Sequence, residues 1–385
     1  MIRYCTQCLM PDTKPDLFFN KQGVCAACSS YKERAVIDWG LRLRELQGIF
    51  EHHRSKNGYW DCVIPVSGGK DSTYQVIKVL EFGMNPLCVT STTCDISELG
   101  RRNIDAIKKL GVDHIQVSPN PQVRAKLNRI GLTEVGDISW PEHVGIFTIP
   151  VRVAINYKIP LIIWGENSQN EYGGPDEAAK TNKLDRSWLE EFGGLLGLRV
   201  TDLIDAYGFT ANELNPYTYP LENELEEAQI SGLFLGQFIP WDGMSNFLVS
   251  QAHGFSSSEL AVEGSMVNYE NLDNYQTGIH DYFKFLKYGF SRTTDIACLH
   301  LRRGRITREE ALTIVTKRDG KFPWTYLGKE LIQILEPIGF TVLEFIEICD
   351  QFTNRAIFKT HSDGTLVKDS LGNLTKINYD NPSQI

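Results

Sequence analysis

Residues 61–73 read D-C-V-I-P-V-S-G-G-K-D-S-T. A short apolar run, Cys62–Val66, breaks at Ser67-Gly68-Gly69-Lys70-Asp71-Ser72, and from Thr73 onward the spacing turns helical. Two glycines let the backbone turn sharply and approach a ligand closely. Their N–H groups can line a concave nest, and a following helix adds the positive end of its dipole. Ser67 and Ser72 add hydroxyl donors and Lys70 a cation. Asp71 would repel a phosphate unless it held Mg2+ or capped the helix. The stretch is therefore a candidate anion loop, although a plain strand-to-helix turn with Asp71 or Ser72 as N-cap would use the same residues. It matches neither G-x-x-x-x-G-K-[ST] nor G-x-G-x-x-G.

Outward from the loop, apolar runs alternate with helical spacing. Strands are expected at 62–66, 86–92, 114–117, 161–164 and 233–239, and helices at 73–82, 99–110 and 142–156. Near-continuous apolar strands between helices indicate an α/β fold, a parallel sheet with helices on both faces. Ligands of such sheets bind beyond the carboxyl ends of the strands, which is where Ser67–Ser72 falls. Gly165, Glu166 and Asn167 end the 161–164 strand on the same edge and are candidates to face a ligand there. Residues 331–385 carry no readable motif.

The chain has 385 residues, 42% hydrophobic and 23% charged, with a formal net charge of −9. That length supports a substantial core, and the composition is that of a folded protein. No global basic field would recruit nucleic acid. The N-terminus shows no signal-peptide pattern and no apolar stretch reaches the ~18 residues of a membrane span, so a cytoplasmic protein is expected. In that reducing compartment, clustered cysteines point to metal more than to disulfides.

Four of the nine cysteines form two C-x2-C pairs, Cys5/Cys8 and Cys25/Cys28. Each pair presents two thiolates from a tight turn, and two pairs complete a tetrahedron. With turns around a short Leu17-Phe18-Phe19 strand, this is the layout of a zinc ribbon. Four cysteine ligands leave no open position, so the expected Zn2+ is structural. Cys62, Cys88, Cys94, Cys298 and Cys349 stand alone and read as small buried hydrophobes.

The loop V-S-G-G-K-D-S resembles the PP-loop of the N-type ATP pyrophosphatases. In that superfamily the loop grips the β- and γ-phosphates of ATP while a substrate oxygen attacks the α-phosphorus. Three further stretches narrow the likeness: I-I-W-G-E-N-S-Q-N-E-Y-G-G (162–174), F-I-P-W-D (238–242), and G-I-H-D-Y-F-K-F-L-K-Y-G-F-S-R-T-T-D (278–295) running into L-R-R-G-R-I-T-R-E-E-A-L (301–312). With the ribbon, they resemble the N-acetyl sugar amidotransferases of bacterial surface-polysaccharide biosynthesis, of the WbpG and PseA type. The resemblance runs from the ribbon to about Arg318.

The resemblance implies three parts: a zinc ribbon with a linker helix (1–45), a PP-loop domain (46–241) with a helical insertion at about 168–232, and a mostly helical C-terminal extension (242–385). It implies ATP and Mg2+ as cofactors and an acetamido sugar or nucleotide sugar as substrate. It places Ser67, Gly68, Gly69, Lys70, Asp71, Ser72, Gly165, Asn167 and Asn103 at the nucleotide, and gives chemical roles to Glu166, Lys287, Arg292 and Asp295. Lys287 and Arg292 flank a Gly289 turn that could fold back over the phosphates, although Lys284 and Lys287 also fit a solvated helix face. His280 reads as a structural histidine. Within the run Arg302–Arg308, an N-cap at Thr307 closed by Glu310 explains part without function, and an acidic ligand could use the rest. No lone cysteine sits in a nucleophile elbow and residue 2 is Ile2, so the chain reads as a synthetase component, and the resemblance implies ammonia from a separate glutaminase subunit. The resemblance adds a possible barrel subunit akin to imidazole glycerol phosphate synthase. The competing readings are a tRNA thiolation enzyme, which would need a second cysteine pair, and a non-catalytic nucleotide-binding zinc protein.

Overall fold

The computed structural model describes residues 2–166 and 195–377. Its centre is a five-stranded sheet: β1 Cys62–Pro65, β2 Pro86–Ser91, β3 Asp113–Val117, β4 Leu161–Trp164 and β5 Ser231–Phe234. All neighbours pair in parallel, in the order β3-β2-β1-β4-β5. The chain builds outward from β1 through β2 to β3, then returns to place β4 on the other flank of β1. The order reverses between β1 and β4, and a crevice opens at such a reversal beyond the carboxyl ends of the strands.

Each central strand feeds two cores, which is why it reads as an unbroken apolar run. Val63, Leu87, Val89 and Ile162 pack with Leu127, Trp140, Val144 and Val151 from α5 (Pro121–Val135) and α6 (Trp140–Tyr157). Cys62, Ile64, Cys88 and Ile163 turn the other way, onto α2 (Trp39–His53), α3 (Lys70–Glu81) and Ile107 of α4 (Glu98–Lys108). Side chains alternate across a strand, so both faces must be apolar when both are covered. Helix α2 crosses the expected boundary at residue 45 and sends Leu46 and Phe50 beneath the sheet.

Three local readings change. Helix α5 was not anticipated, though Asn120 caps it by accepting from Gln122 N (2.9 Å) and Pro121 opens it. The fifth strand ends at Phe234 and gives way to a 3-10 turn, Leu235–Gln237. The ribbon's expected 17–19 strand is reduced to a single antiparallel bridge, Phe19 to Cys25. In the described part of the 168–232 insertion, Leu203, Phe209, Leu214 and Tyr217 enter the sheet core, so this part is scaffold.

The C-terminal part is mainly helical. Its core gathers Ile279, Phe283 and Leu286 of the helix Thr277–Tyr288 with Phe345 and Ile348 of the helix Val342–Phe352. The ribbon does not stand apart. Its cysteines, Leu9 and Met10 share a core with Phe290, Ala297, Ala311 and Val315. Arg308 clamps this contact, donating from Nη1 to the carbonyls of Cys8 and Cys5 (2.9 Å for Cys5). Among the described residues, no helix is long and apolar enough to cross a membrane.

Phe50 is 1% exposed and touches Phe82 edge-on, with ring centroids 5.3 Å apart. Replacing it with alanine is expected to lower the unfolding free energy by about 3–5 kcal/mol, measurable by urea denaturation.

Candidate functional site

The loop leaves β1 in register with its neighbours: Val66 N donates to Val89 O (2.9 Å), and the Thr90 hydroxyl donates to Val66 O (2.7 Å). Gly68 then adopts φ +85°, and a Cβ there would lie 2.9 Å from Gly100 O and from Ile104. Only glycine fits this left-handed turn pressed against α4. Gly69 is the N-cap of α3, and no described side chain caps that end. Instead the hydroxyls of Ser72 and Thr73 both donate to Gly69 O at 3.0 Å. The first amides of α3 therefore keep their donors for a ligand, at the helix end where the dipole favours an anion. Ser67 is exposed beside them, its hydroxyl accepting from Gly69 N at 3.3 Å.

Lys70 behaves differently from the expectation that it adds a cation to the phosphate nest. Its ammonium is buried between Asp71 Oδ2 (2.6 Å) and Glu270 Oε1 (2.5 Å). Burial pushes its pKa down, but the two carboxylates outweigh burial and hold it well above the usual lysine range. Asp71 Oδ1 accepts from Asn246 Nδ2 (2.8 Å). The loop's acidic residue is thus paired with a buried lysine. The helix Gly243–Ala252 closes over this knot, with the Ser250 hydroxyl donating to Lys70 O (2.7 Å).

Across the crevice, β4 ends at Gly165 and Glu166. A Cβ on Gly165 would lie 3.2 Å from the Trp241 indole, so the glycine is what admits that ring. Glu166 is half-buried at the strand end; Asn167 lies outside the described residues. Asn103 is not a ligand group. It is 1% exposed, and its side-chain amide exchanges two hydrogen bonds with the Ser256 backbone (3.0 and 2.8 Å), fastening α4 to that segment.

The late cations are already engaged, two within the C-terminal part and Lys287 on α5. Arg292 pairs with Asp281 (3.1 Å), Lys284 with the buried Asp295, and Lys287 donates to Val135 O (2.6 Å). Gly289 ends the helix in a left-handed cap, where a Cβ would meet Ile357 at 2.8 Å, and Phe290 is buried beneath the ribbon. The 287–292 turn is packed structure, in place of the expected flap. Lys287 shares a cleft of about 350 Å³ with Lys14 and Asp16 of the ribbon and with Asp137, His143 and His280. His280 was read as structural; Asp137 and His143 were missed, because no local motif links a turn, a first helical turn and a helix 140 residues later. Burial raises the pKa of the Asp137 carboxyl, yet the adjoining His280 and His143 hold it well below the usual range.

A second cleft, of about 720 Å³, lies between the ribbon and the sheet edge, lined by Arg34, Arg302, Arg303, Arg305 and Trp241 around Asp242. Asp242 pairs with Arg303 (2.8 Å) and Arg305, and accepts from Ser245 N (3.1 Å) as N-cap of its helix. Burial works against its charge, but Arg305, Ser245 and Arg303 hold it well below the usual carboxylate range. Thr307 and Glu310 do form the expected capping box.

The ribbon cysteines are buried, their sulfurs all within 4.8 Å of one another. The Cys5–Cys28 and Cys8–Cys25 sulfurs are 3.9 and 3.7 Å apart. Four ligands at a Zn–S bond of about 2.3 Å would stand roughly 3.8 Å apart in a tetrahedron. The cluster fits a structural zinc. Half-buried Arg302 stands beside these sulfurs; burial pulls its pKa down, but Cys298 and the ribbon's Cys8, Cys28 and Cys25 hold it above the usual arginine range.

Residues 263–371 match the family model described as LPS biosynthesis protein WbpG-like, C-terminal domain. Over that segment the chain is WbpG-like. The WbpG-like segment contains Asp281, Lys287, Arg292 and Asp295, together with Glu270, which reaches back to Lys70 in the loop. Among solved structures, NMN synthetase from Francisella tularensis is 16% identical with a TM-score of 0.29, covering 50% of this chain and 92% of its own. A predicted subunit of tRNA methyltransferase from Methanocaldococcus jannaschii is 14% identical with a TM-score of 0.29, covering 62% and 92%. A comparison with curated proteins returned no match.

Two outcomes follow from this geometry. Metal analysis of the purified protein should find zinc held by the four cysteines, lost when Cys8 is changed to serine; an iron–sulfur absorption band would contradict it. Lys70→Ala leaves two partly buried carboxylates without their cation and is expected to cost roughly 1–3 kcal/mol of stability, read by denaturant titration.

Proposed function

We propose that this chain is the synthetase component of an ATP-dependent amidotransferase acting on a sugar acetamido group. The observation that carries the reading is the Ser67–Gly69 loop: a glycine-forced turn at the sheet's reversal point, leading into a helix end whose amides no described side chain caps. The WbpG-like C-terminal segment supports it, and its description names lipopolysaccharide biosynthesis, so the sugar is one destined for a surface glycan.

In this reading the loop amides and Ser67 hold the β- and γ-phosphates. The acetamido oxygen attacks the α-phosphorus, and pyrophosphate leaves. Ammonia adds to the activated carbon, and AMP departs with the former amide oxygen. Loss of a proton leaves the amidine. Activation splits one hard displacement into two easier ones, and donors fixed on a helix end stabilise the charge developing on pyrophosphate without reorganising. Lys70 serves by holding Asp71 away from the phosphates. Both oxygens of Asp71 are engaged, so Mg2+ would be carried chiefly by the phosphates of ATP itself. Gly165 and Glu166 face the acceptor side of the crevice.

Ammonia comes from a separate glutaminase in this scheme. Cys94 is the one lone cysteine that is not fully buried, and burial together with Glu142 pushes its thiol up to about 11, the opposite of an activated nucleophile. Thiolation chemistry is disfavoured by Cys88, which lies inside the sheet core with its thiol pushed up to about 12.

Incubation with ATP, Mg2+, ammonium and a panel of diacetamido sugars should yield AMP, pyrophosphate and an amidine visible by mass spectrometry. Glutamine should replace ammonium only when a glutaminase is added. ADP as the stoichiometric product, or turnover unaffected by Gly68→Ala, would overturn the assignment.

A further inference from the structure

We propose that Asp137, His143 and His280 form a second metal site, for a six-coordinate divalent first-row transition ion, distinct from the ribbon zinc. Asp137 Oδ1 is 2.7 Å from His280 Nδ1 and Oδ2 is 3.1 Å from His143 Nδ1, and the three ligand atoms lie within 4.8 Å of one another. Adjacent ligands of an octahedral ion with bonds near 2.1 Å stand about 3.0 Å apart, against roughly 3.4 Å in a tetrahedron. Each imidazole nitrogen thus lies about one ligand–ligand spacing from an Asp137 oxygen.

The donor set has the composition of a two-histidine, one-carboxylate site, which holds its ion on one face and leaves positions open. The Asp137 side chain is 4% exposed while the imidazoles are about one quarter exposed, so the carboxylate forms the floor and the histidines the rim. Beyond them lies the cleft of about 350 Å³, walled by Lys14, Asp16 and Tyr288. An ion there would face solvent or an incoming anionic group.

Rigid elements hold the donors. His143 is in the first turn of α6 and His280 in the first turn of Thr277–Tyr288. Asp137 follows Gly136, whose φ of +60° and close approach to the Phe352 ring (2.7 Å for an added Cβ) fix the turn between α5 and α6. Ser139 N donates to Asp137 Oδ1 (2.9 Å), orienting the carboxylate from behind. That bond already meets the turn's local need, and turning two imidazoles from distant elements onto one carboxylate is surplus to it. Of the nearest lysines, Lys287 donates to Val135 O and Lys284 pairs with Asp295. A buried carboxylate is costly without a compensating charge; a dication would supply it with both imidazoles neutral.

The test is metal stoichiometry of the full-length protein equilibrated with Co2+, with optical spectra of the wild type and the His143→Ala/His280→Ala double variant. The wild type should bind two ions. One should show thiolate-to-cobalt charge transfer, and the other only the weak d–d bands of nitrogen and oxygen ligands. The double variant should lose the second and keep the first. Asp137→Asn, which preserves shape, should weaken the second site by at least about tenfold. Equal metal content in wild type and a folded double variant would overturn the proposal and leave Asp137 as a hydrogen-bonded brace. ATP turnover plays no part in this readout, so its outcome is independent of the assigned reaction.

Discussion

The ammonium of Lys70 is the point on which the site's organisation rests. It is a buried cation at the start of the helix that follows the loop, and burial alone would drive off its proton. Asp71 and Glu270 reverse that, and Glu270 comes from two hundred residues downstream, inside the WbpG-like segment. One charge therefore settles two questions. It disposes of an aspartate that would repel phosphate, and it locks the C-terminal part against the edge of the sheet where the loop opens.

How much of this the chain discloses beforehand depends on the range of the interaction. The alternation of apolar runs and helical spacing announces a doubly covered parallel sheet, because a strand buried on both faces has no polar positions to spare. The tetracysteine pattern announces its site for a similar reason: the geometry is written in the spacing of adjacent residues. Helix α5 was missed although Asn120-Pro121 at its start and Gly136 at its end are ordinary boundary signals; its apolar spacing is weak because Arg124 and Asn128 are buried among the leucines and isoleucines.

The candidate site was legible at the loop and opaque elsewhere. Gly68 has a local reason to be glycine, its positive φ, and that reason can be stated from the backbone alone. Lys70, Asn103 and Lys287 each carry side chains whose polar ends meet partners remote in sequence, so charge and position could not say where they would turn. Asp137 and His143 went unread for the same reason: their relation to His280 is made only when the turn after α5 and the helix Thr277–Tyr288 are packed together.

The docking of the ribbon has a consequence for how the molecule is made. Its four cysteines leave the ribosome well before the surface that covers them, and can take their metal within the short span from Cys5 to Cys28. The surface that covers them comes from Phe290, Ala297, Ala311 and Val315, and the arginine that clamps the Cys5 and Cys8 carbonyls is residue 308. Contacts of such long sequence separation form late. The ribbon thus keeps an uncovered apolar face while the sheet is being synthesised, until the stretch from Phe290 to Val315 arrives to close it.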